Sequence, residues 1–279
     1  GRPDQSAHLG DGPEESLTQE ERLKMGRAGS DEQIDIPSGI LKRLKLARHA
    51  CVLTGAGVSA ESGVPTFRGA GGMWEKYDFR KLATPEGFWR DPQTGWEWYQ
   101  LRQREMIKAR PNPAHEAIAE MEGHFESFHV LTQNIDGLHA RAGSRNIVEL
   151  HGNIWRMKCS RDGSVFDIVS PVSEIPPLCQ CGSMLRPDVV WFGEPLPEGV
   201  VEIAHQIASR SEVMFVVGTS AVVYPAAALP IETKNSGGMV IEINIEPTEL
   251  TSFADLSIFG PAGRAMPAIW DAIANPKGL

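Results

Sequence analysis

The sequence predicts an α/β fold, a parallel sheet with helices on both faces, and three observations lead to it. A short apolar run at residues 50–53 ends in Thr54-Gly55-Ala56-Gly57, as a buried strand does when it turns into a glycine-rich loop. Three later runs, 127–132, 213–217 and 239–244, are apolar or alternating and end in loops carrying Gln133-Asn134-Ile135-Asp136, Gly218-Thr219-Ser220 and Ile245-Glu246. The stretches between the later runs have helical spacing, and strand–helix alternation is the pattern of a parallel sheet.

The chain has 279 residues, 41% of them hydrophobic, enough for one large domain or one domain with a small insert. No apolar run approaches membrane-spanning length, so a soluble, cytoplasmic protein is expected. A formal net charge of -9 without a basic cluster argues against a nucleic-acid surface. Four cysteines in so long a chain do not make a disulfide scaffold, and Cys51, inside an apolar run, reads as a small hydrophobe.

Residues 1–35 are polar and poor in large apolar side chains, which predicts a mobile tail. Folding is expected to start where Ser38 caps a helix presenting Ile40, Leu41, Leu44 and Ala47. In the glycine loop, a missing side chain lets an anion approach the backbone, and Ser59-Ala60-Glu61 can open a helix whose amides face that anion. Ala60 stands where a third glycine belongs in a dinucleotide fingerprint, so a plain strand-to-helix turn explains Gly55 and Gly57 equally well. Gly63 and Pro65 then break the helix almost at once and deliver Phe67 and Arg68 on a loop.

A tryptophan-rich, helix-prone segment at 73–110 interrupts the alternation as a helical insertion beside the nucleotide loop. Tyr99 and Arg102 are three apart and share a face, either as part of an ordinary amphipathic helix or as a hydroxyl and guanidinium that clamp a carboxylate. Pro113-Ala114-His115 opens the next helix, with His115 read as structural. Asn134 and Asp136 follow a strand at the end where open sheets hold ligands, although a generic turn accepts the same residues. His151 follows the strand-like run 146–150, where a lone histidine reads as a satisfied structural residue. Cys159, Cys179 and Cys181, with Asp162 or water as fourth ligand, can hold zinc, or the module has lost its metal and stands on packing. The apolar run 189–193 reads as a core strand.

Residues 51–69, the run Thr132-Gln133-Asn134-Ile135-Asp136-Gly137-Leu138-His139, Glu149-Leu150-His151-Gly152 and residues 185–194 together resemble the sirtuins, NAD-dependent protein deacylases. The resemblance runs from about Leu41 to the C-terminus and is weakest at the cysteines, where two Cys-x-x-Cys pairs would be usual. It implies a Rossmann-like NAD-binding domain from 36–72, 111–153 and 189–279. A small domain would comprise the helical insertion 73–110 and a zinc-ribbon-like module 154–188.

By the same resemblance, NAD would be bound by Gly55, Ala56, Gly57, Ala60, Phe67, Arg68, Gln133, Asn134, Ile135, Asp136, His151, Gly218, Thr219, Ser220, Asn244, Glu246 and Ala262. His151, Asn134, Asp136 and Arg68 would be catalytic, and Val189, Val190, Trp191, Phe192 and Gly193 would bind peptide. Leu82-Ala83-Thr84-Pro85 followed by Tyr99 and Arg102 resembles the branch that removes acidic acyl groups such as succinyl, malonyl or glutaryl. There Ala83 makes room while Tyr99 and Arg102 hold the distal carboxylate, with acetyl also accepted. The expected partners are acylated-lysine proteins or peptides, acted on by a monomer, with NAD consumed and zinc structural. A nicotinamide oxidoreductase, an idle NAD-sensing module and an ADP-ribosyltransferase are the competing classes.

Overall fold

The structure, a computed structural model, describes residues 25–27, 34–66, 78–168, 172 and 174–275. Seven parallel strands form its main sheet in the order β1 (Met25–Arg27), β10 (Leu256–Phe259), β9 (Met239–Asn244), β8 (Val213–Val217), β2 (His49–Thr54), β3 (Ser127–Thr132) and β4 (Ile147–Glu149). From β2 the chain adds β3 and β4 on one side and later adds β8 to β10 on the other, with β1 at the far edge beyond β10. The carboxyl ends of β2 and β8 therefore flank a point where strand order reverses, the usual ligand crevice of an open α/β sheet.

Every residue of β2 after His49 is buried, because both faces of the sheet are covered. Ala50 and Val52 join a core with Phe128, Phe215 and Ile241 under α1 (Ser38–Leu46), α5 (Pro113–Met121) and α9 (Ala262–Ala274). Cys51 and Leu53 face the opposite core with Met214 and Val240 under α7 (Val200–Arg210) and α8 (Leu229–Asn235). Each large side chain so buried is worth about 1.5–3 kcal/mol. Burial also pushes the Cys51 thiol up to about 12, so it is an inert part of this packing.

A second group of elements comprises α2 (Phe79–Leu82), α3 (Pro85–Arg90), α4 (Pro92–Met106) and an antiparallel sheet in the order β6 (Val165–Asp167), β5 (Gly152–Cys159), β7 (Leu185–Val189). Phe88, Trp96, Trp98 and Tyr99 pack there with Trp191, Val189 and Leu138, the last of which opens α6 (Leu138–Ala142). Among the described residues no helix is long and apolar enough to cross a membrane.

Three expectations are corrected. The tail was to run to about residue 35, yet Met25–Arg27 pairs in parallel with β10 as an edge strand, and Ile34 packs against the core. The rest of that tail lies outside the described residues, as do Phe67 and Arg68. Ser38 is the first helical residue, not the cap, which is Pro37 with no side-chain bond. The loop after β2 forms a seven-residue 3-10 helix, Ala56–Ser62, which starts three residues before the Ser59 expected to open it.

Candidate functional site

At the switch point the two loops touch backbone to backbone. Gly57 N–H donates to the Gly218 carbonyl (2.8 Å), and a Cβ on Gly57 would lie 2.7 Å from the Gly218 Cα. Gly218 itself has φ +61°, and a Cβ there would run into the Val58 amide. The glycines therefore let the β2 and β8 loops approach each other, a role separate from admitting a ligand.

A cavity of about 970 Å³ opens above this contact. Gly55, Ala56, Gly57 and Ala60 line it together with Gln133, Asn134, Ile135 and His151. Gly218, Thr219, Ser220, Asn244, Glu246 and Ala262 form another part of its wall. Ala83, Tyr99, Val189, Val190, Trp191, Phe192 and Gly193 line it as well. Of the described residues assigned to NAD or substrate, only Asp136 and Arg102 are missing from the wall.

His151 sits in the turn between β4 and β5. Its Nδ1 lies 3.0 Å from the Gln133 carbonyl, which can only accept, so Nδ1 carries the hydrogen and Nε2 keeps a lone pair. Burial lowers the ring's pKa, with the Gln133 bond opposing, so the neutral base is favoured. The following residue must be glycine, since Gly152 has φ +77° and a Cβ there would collide with the Asp188 carbonyl.

Asp136 is 4% exposed and stands outside the cavity wall. One of its oxygens accepts from the Leu138 amide (2.9 Å) and the other from Ser59 Oγ (2.8 Å). Ser59 Oγ in turn accepts from Asn134 Nδ2 (3.2 Å), which also donates to the Gly55 carbonyl (3.0 Å). His115 Nδ1 accepts from the Asn112 amide (3.3 Å), which leaves Nε2–H to donate to Ser59 Oγ (3.4 Å). Burial takes the His115 pKa down to about 4, so the ring stays neutral in this role. The Asp136 carboxyl is shifted upward by burial, against the Leu138 and Ser59 bonds and the Arg102 and Arg141 charges. Sequence reasoning missed Ser59, whose side-chain partners in this network lie 56 to 77 residues away.

Trp191 Nε1 donates to the Tyr99 hydroxyl (2.8 Å), and burial raises the Tyr99 pKa, so the phenol stays protonated. Arg102 does not reach the cavity: it is 1% exposed, with its guanidinium 5.7 Å over the Trp98 ring. Spacing put Tyr99 and Arg102 on one helical face but could not say which residue faced the cavity. The run 189–193 also differs from a simple open edge. The amides of Val190, Trp191 and Phe192 already donate to His151 O, Glu194 Oε2 and Ala83 O.

Remote from the cavity, the thiols of Cys159, Cys179 and Cys181 lie within 4.8 Å of one another, with Cys159 and Cys181 3.5 Å apart. That donor set fits a structural zinc held by three thiolates. Asp162 is not part of the cluster, and its Oδ1 accepts from the Ser164 amide (2.9 Å).

The Sir2 family model matches residues 55–225. The chain belongs to the Sir2 family. A Pyrobaculum aerophilum protein named NAD-dependent protein deacylase 2 is 55% identical over 231 residues, 82% of this chain and 93% of that one. An NAD-dependent protein deacylase of Aquifex aeolicus is 47% identical over 228 residues, 81% of this chain and 95% of its own. A Sir2 homologue variant solved with ADP-ribose superposes with TM-score 0.82 at 45% identity, covering 85% of this chain and 96% of that one. In this Sir2 protein the glycine loop, the Asn134 side chain and the His151 ring surround one continuous space.

Proposed function

We propose that this Sir2 protein is an NAD-dependent protein-lysine deacylase that removes acidic acyl groups and acetyl from lysine. One observation supports it above the rest: a single cavity joins the glycine loop to an imidazole whose Nε2 lone pair is available. NAD is a consumed substrate, its adenosine end beside Asn244, Glu246 and Ala262 and its nicotinamide ribose near Asn134 and His151. The acyl oxygen displaces nicotinamide at the ribose, His151 Nε2 takes a ribose hydroxyl proton, and water releases lysine and acyl-ADP-ribose. The chain acts as a cytoplasmic monomer.

Acceptance of an acidic acyl group rests on Tyr99. Its oxygen accepts from Trp191, which leaves its own O–H to donate to a carboxylate, with the Arg102 charge buried behind it. A charge-assisted contact of about 1.5–3 kcal/mol corresponds to a tenfold to hundredfold preference. The reading in which acetyl is the main substrate draws on the absence of Arg102 from the wall.

The test is mass spectrometry of succinyl-, malonyl- and acetyl-lysine peptides with and without NAD. NAD-dependent loss of the acidic acyl groups, weakened in Tyr99→Phe, is expected. Acetyl removal far outpacing succinyl removal would defeat the acidic-acyl reading.

A further inference from the structure

We propose that Glu242 is a positioning residue that holds the NAD-binding rim at 244–249 through two threonine hydroxyls. This rests on the reading above that the rim takes the adenosine end of NAD. Glu242 lies on β9, between β8 and β10, and is 1% exposed. An ionisable side chain is rarely so deep in a sheet without a task.

Its carboxylate accepts from Thr248 Oγ1 (2.5 Å) and Thr251 Oγ1 (2.8 Å), both on the β9–β10 loop, and from Ser257 Oγ (2.7 Å) on β10. The two threonines also serve as acceptors, Thr248 Oγ1 for the Leu250 amide (3.1 Å) and Thr251 Oγ1 for the Thr248 amide (2.9 Å). With amides donating to them, both hydroxyls direct their own hydrogens at residue 242. The position therefore asks for a group that only accepts, which a carboxylate satisfies and an amide does not.

Ile245, Glu246, Pro247, Thr248 and Glu249 of the same loop line the cavity. Asn244, two residues beyond Glu242, ties the rim to the β8 loop by donating from Nδ2 to the Thr219 carbonyl (3.0 Å). Glu242 reaches no part of the cavity itself, so its influence passes through the threonines.

Initial rates against NAD and against acyl-lysine peptide test this in Glu242→Gln, Thr251→Val, Thr251→Ser, Glu246→Ala and Val240→Ala. Glu242→Gln is expected to raise the NAD KM about tenfold and Thr251→Val several-fold, with kcat and peptide KM within about twofold. Thr251→Ser, which keeps the hydroxyl, restores the NAD KM. Val240→Ala, on the same strand and face, lowers the melting temperature without moving it. An NAD KM within twofold of the parent in Glu242→Gln, or an equal rise in Val240→Ala, overturns the proposal. Should Glu242→Gln fail to fold, the Thr251→Val and Thr251→Ser pair decides by the same criterion. Glu246→Ala separates the two claims. A raised NAD KM there with an unmoved one in Glu242→Gln overturns the anchor alone, while unmoved values in all variants overturn the adenosine placement and the anchor with it.

Discussion

Replacing Ser59 with alanine should destabilise the protein most at neutral pH. The Ser59 hydroxyl is one of two hydrogen-bond donors to the Asp136 carboxylate, and it accepts from Asn134 and His115. Losing one charge-assisted bond in a buried setting, with a His115 donor also stranded, costs about 2–4 kcal/mol. The pH dependence follows from Asp136. Its folded pKa is raised by burial, so the native state holds its proton more tightly than the unfolded chain does. Stability is then lost as pH climbs from the unfolded value of about 3.9 through the folded one, and the full penalty is present above that. Ser59→Ala raises the folded value further, so its deficit is greatest at neutral pH and shrinks on acidification. Urea unfolding followed by circular dichroism at pH 7.5 and pH 5, parent against variant, measures both. A deficit under about 0.5 kcal/mol at pH 7.5, or one that grows toward pH 5, would refute the charge on Asp136 as the quantity that Ser59 protects.

His151→Ala is expected to lower kcat by about 10²- to 10⁴-fold with little change in folding stability. Because burial lowers the His151 pKa, the parent's kcat/KM should hold as pH falls toward about 6.5 and decline only below that, and an acid limb centred above pH 7 contradicts the assignment. Gly57→Ala forces a Cβ to 2.7 Å from the Gly218 Cα, backbone that cannot rotate away, so a loss of about 1–3 kcal/mol with a raised NAD KM is expected. An unchanged melting temperature would show that the loops yield. Cys181→Ser should remove bound zinc, measured by elemental analysis, and lower the melting temperature, whereas Asp162→Ala should leave zinc content unchanged. Zinc retained by Cys181→Ser would contradict the three-thiolate site.

The parts of this fold that the sequence exposed are those set by local chemistry. β3 begins and ends where the alternation of Ser127–Thr132 does, and Gln133 and Asn134 after it reach the cavity because strand ends in an open sheet face the crevice. Local chemistry could not place Arg102, since a three-residue spacing fixes a shared helical face but not its partner. Met25–Arg27 carries no alternation and no branched side chain, so only its pairing with β10 makes it a strand. Ser59 looked like a helix opener because its bonds run to Asp136, Asn134 and His115, residues that only the folded sheet brings near. Glu242, sitting within an apolar run, passed as one more strand residue for the same reason.

The internally satisfied amides of Val190, Trp191 and Phe192 set terms for any segment docked beside them. These three amides have no hydrogen left to donate, so at their positions a docked segment bonds only by donating its own, and a proline or N-methylated residue there has none to supply. With the peptide seated on this run as the resemblance implies, discrimination is expected against imino acids flanking the modified lysine rather than for any particular side chain.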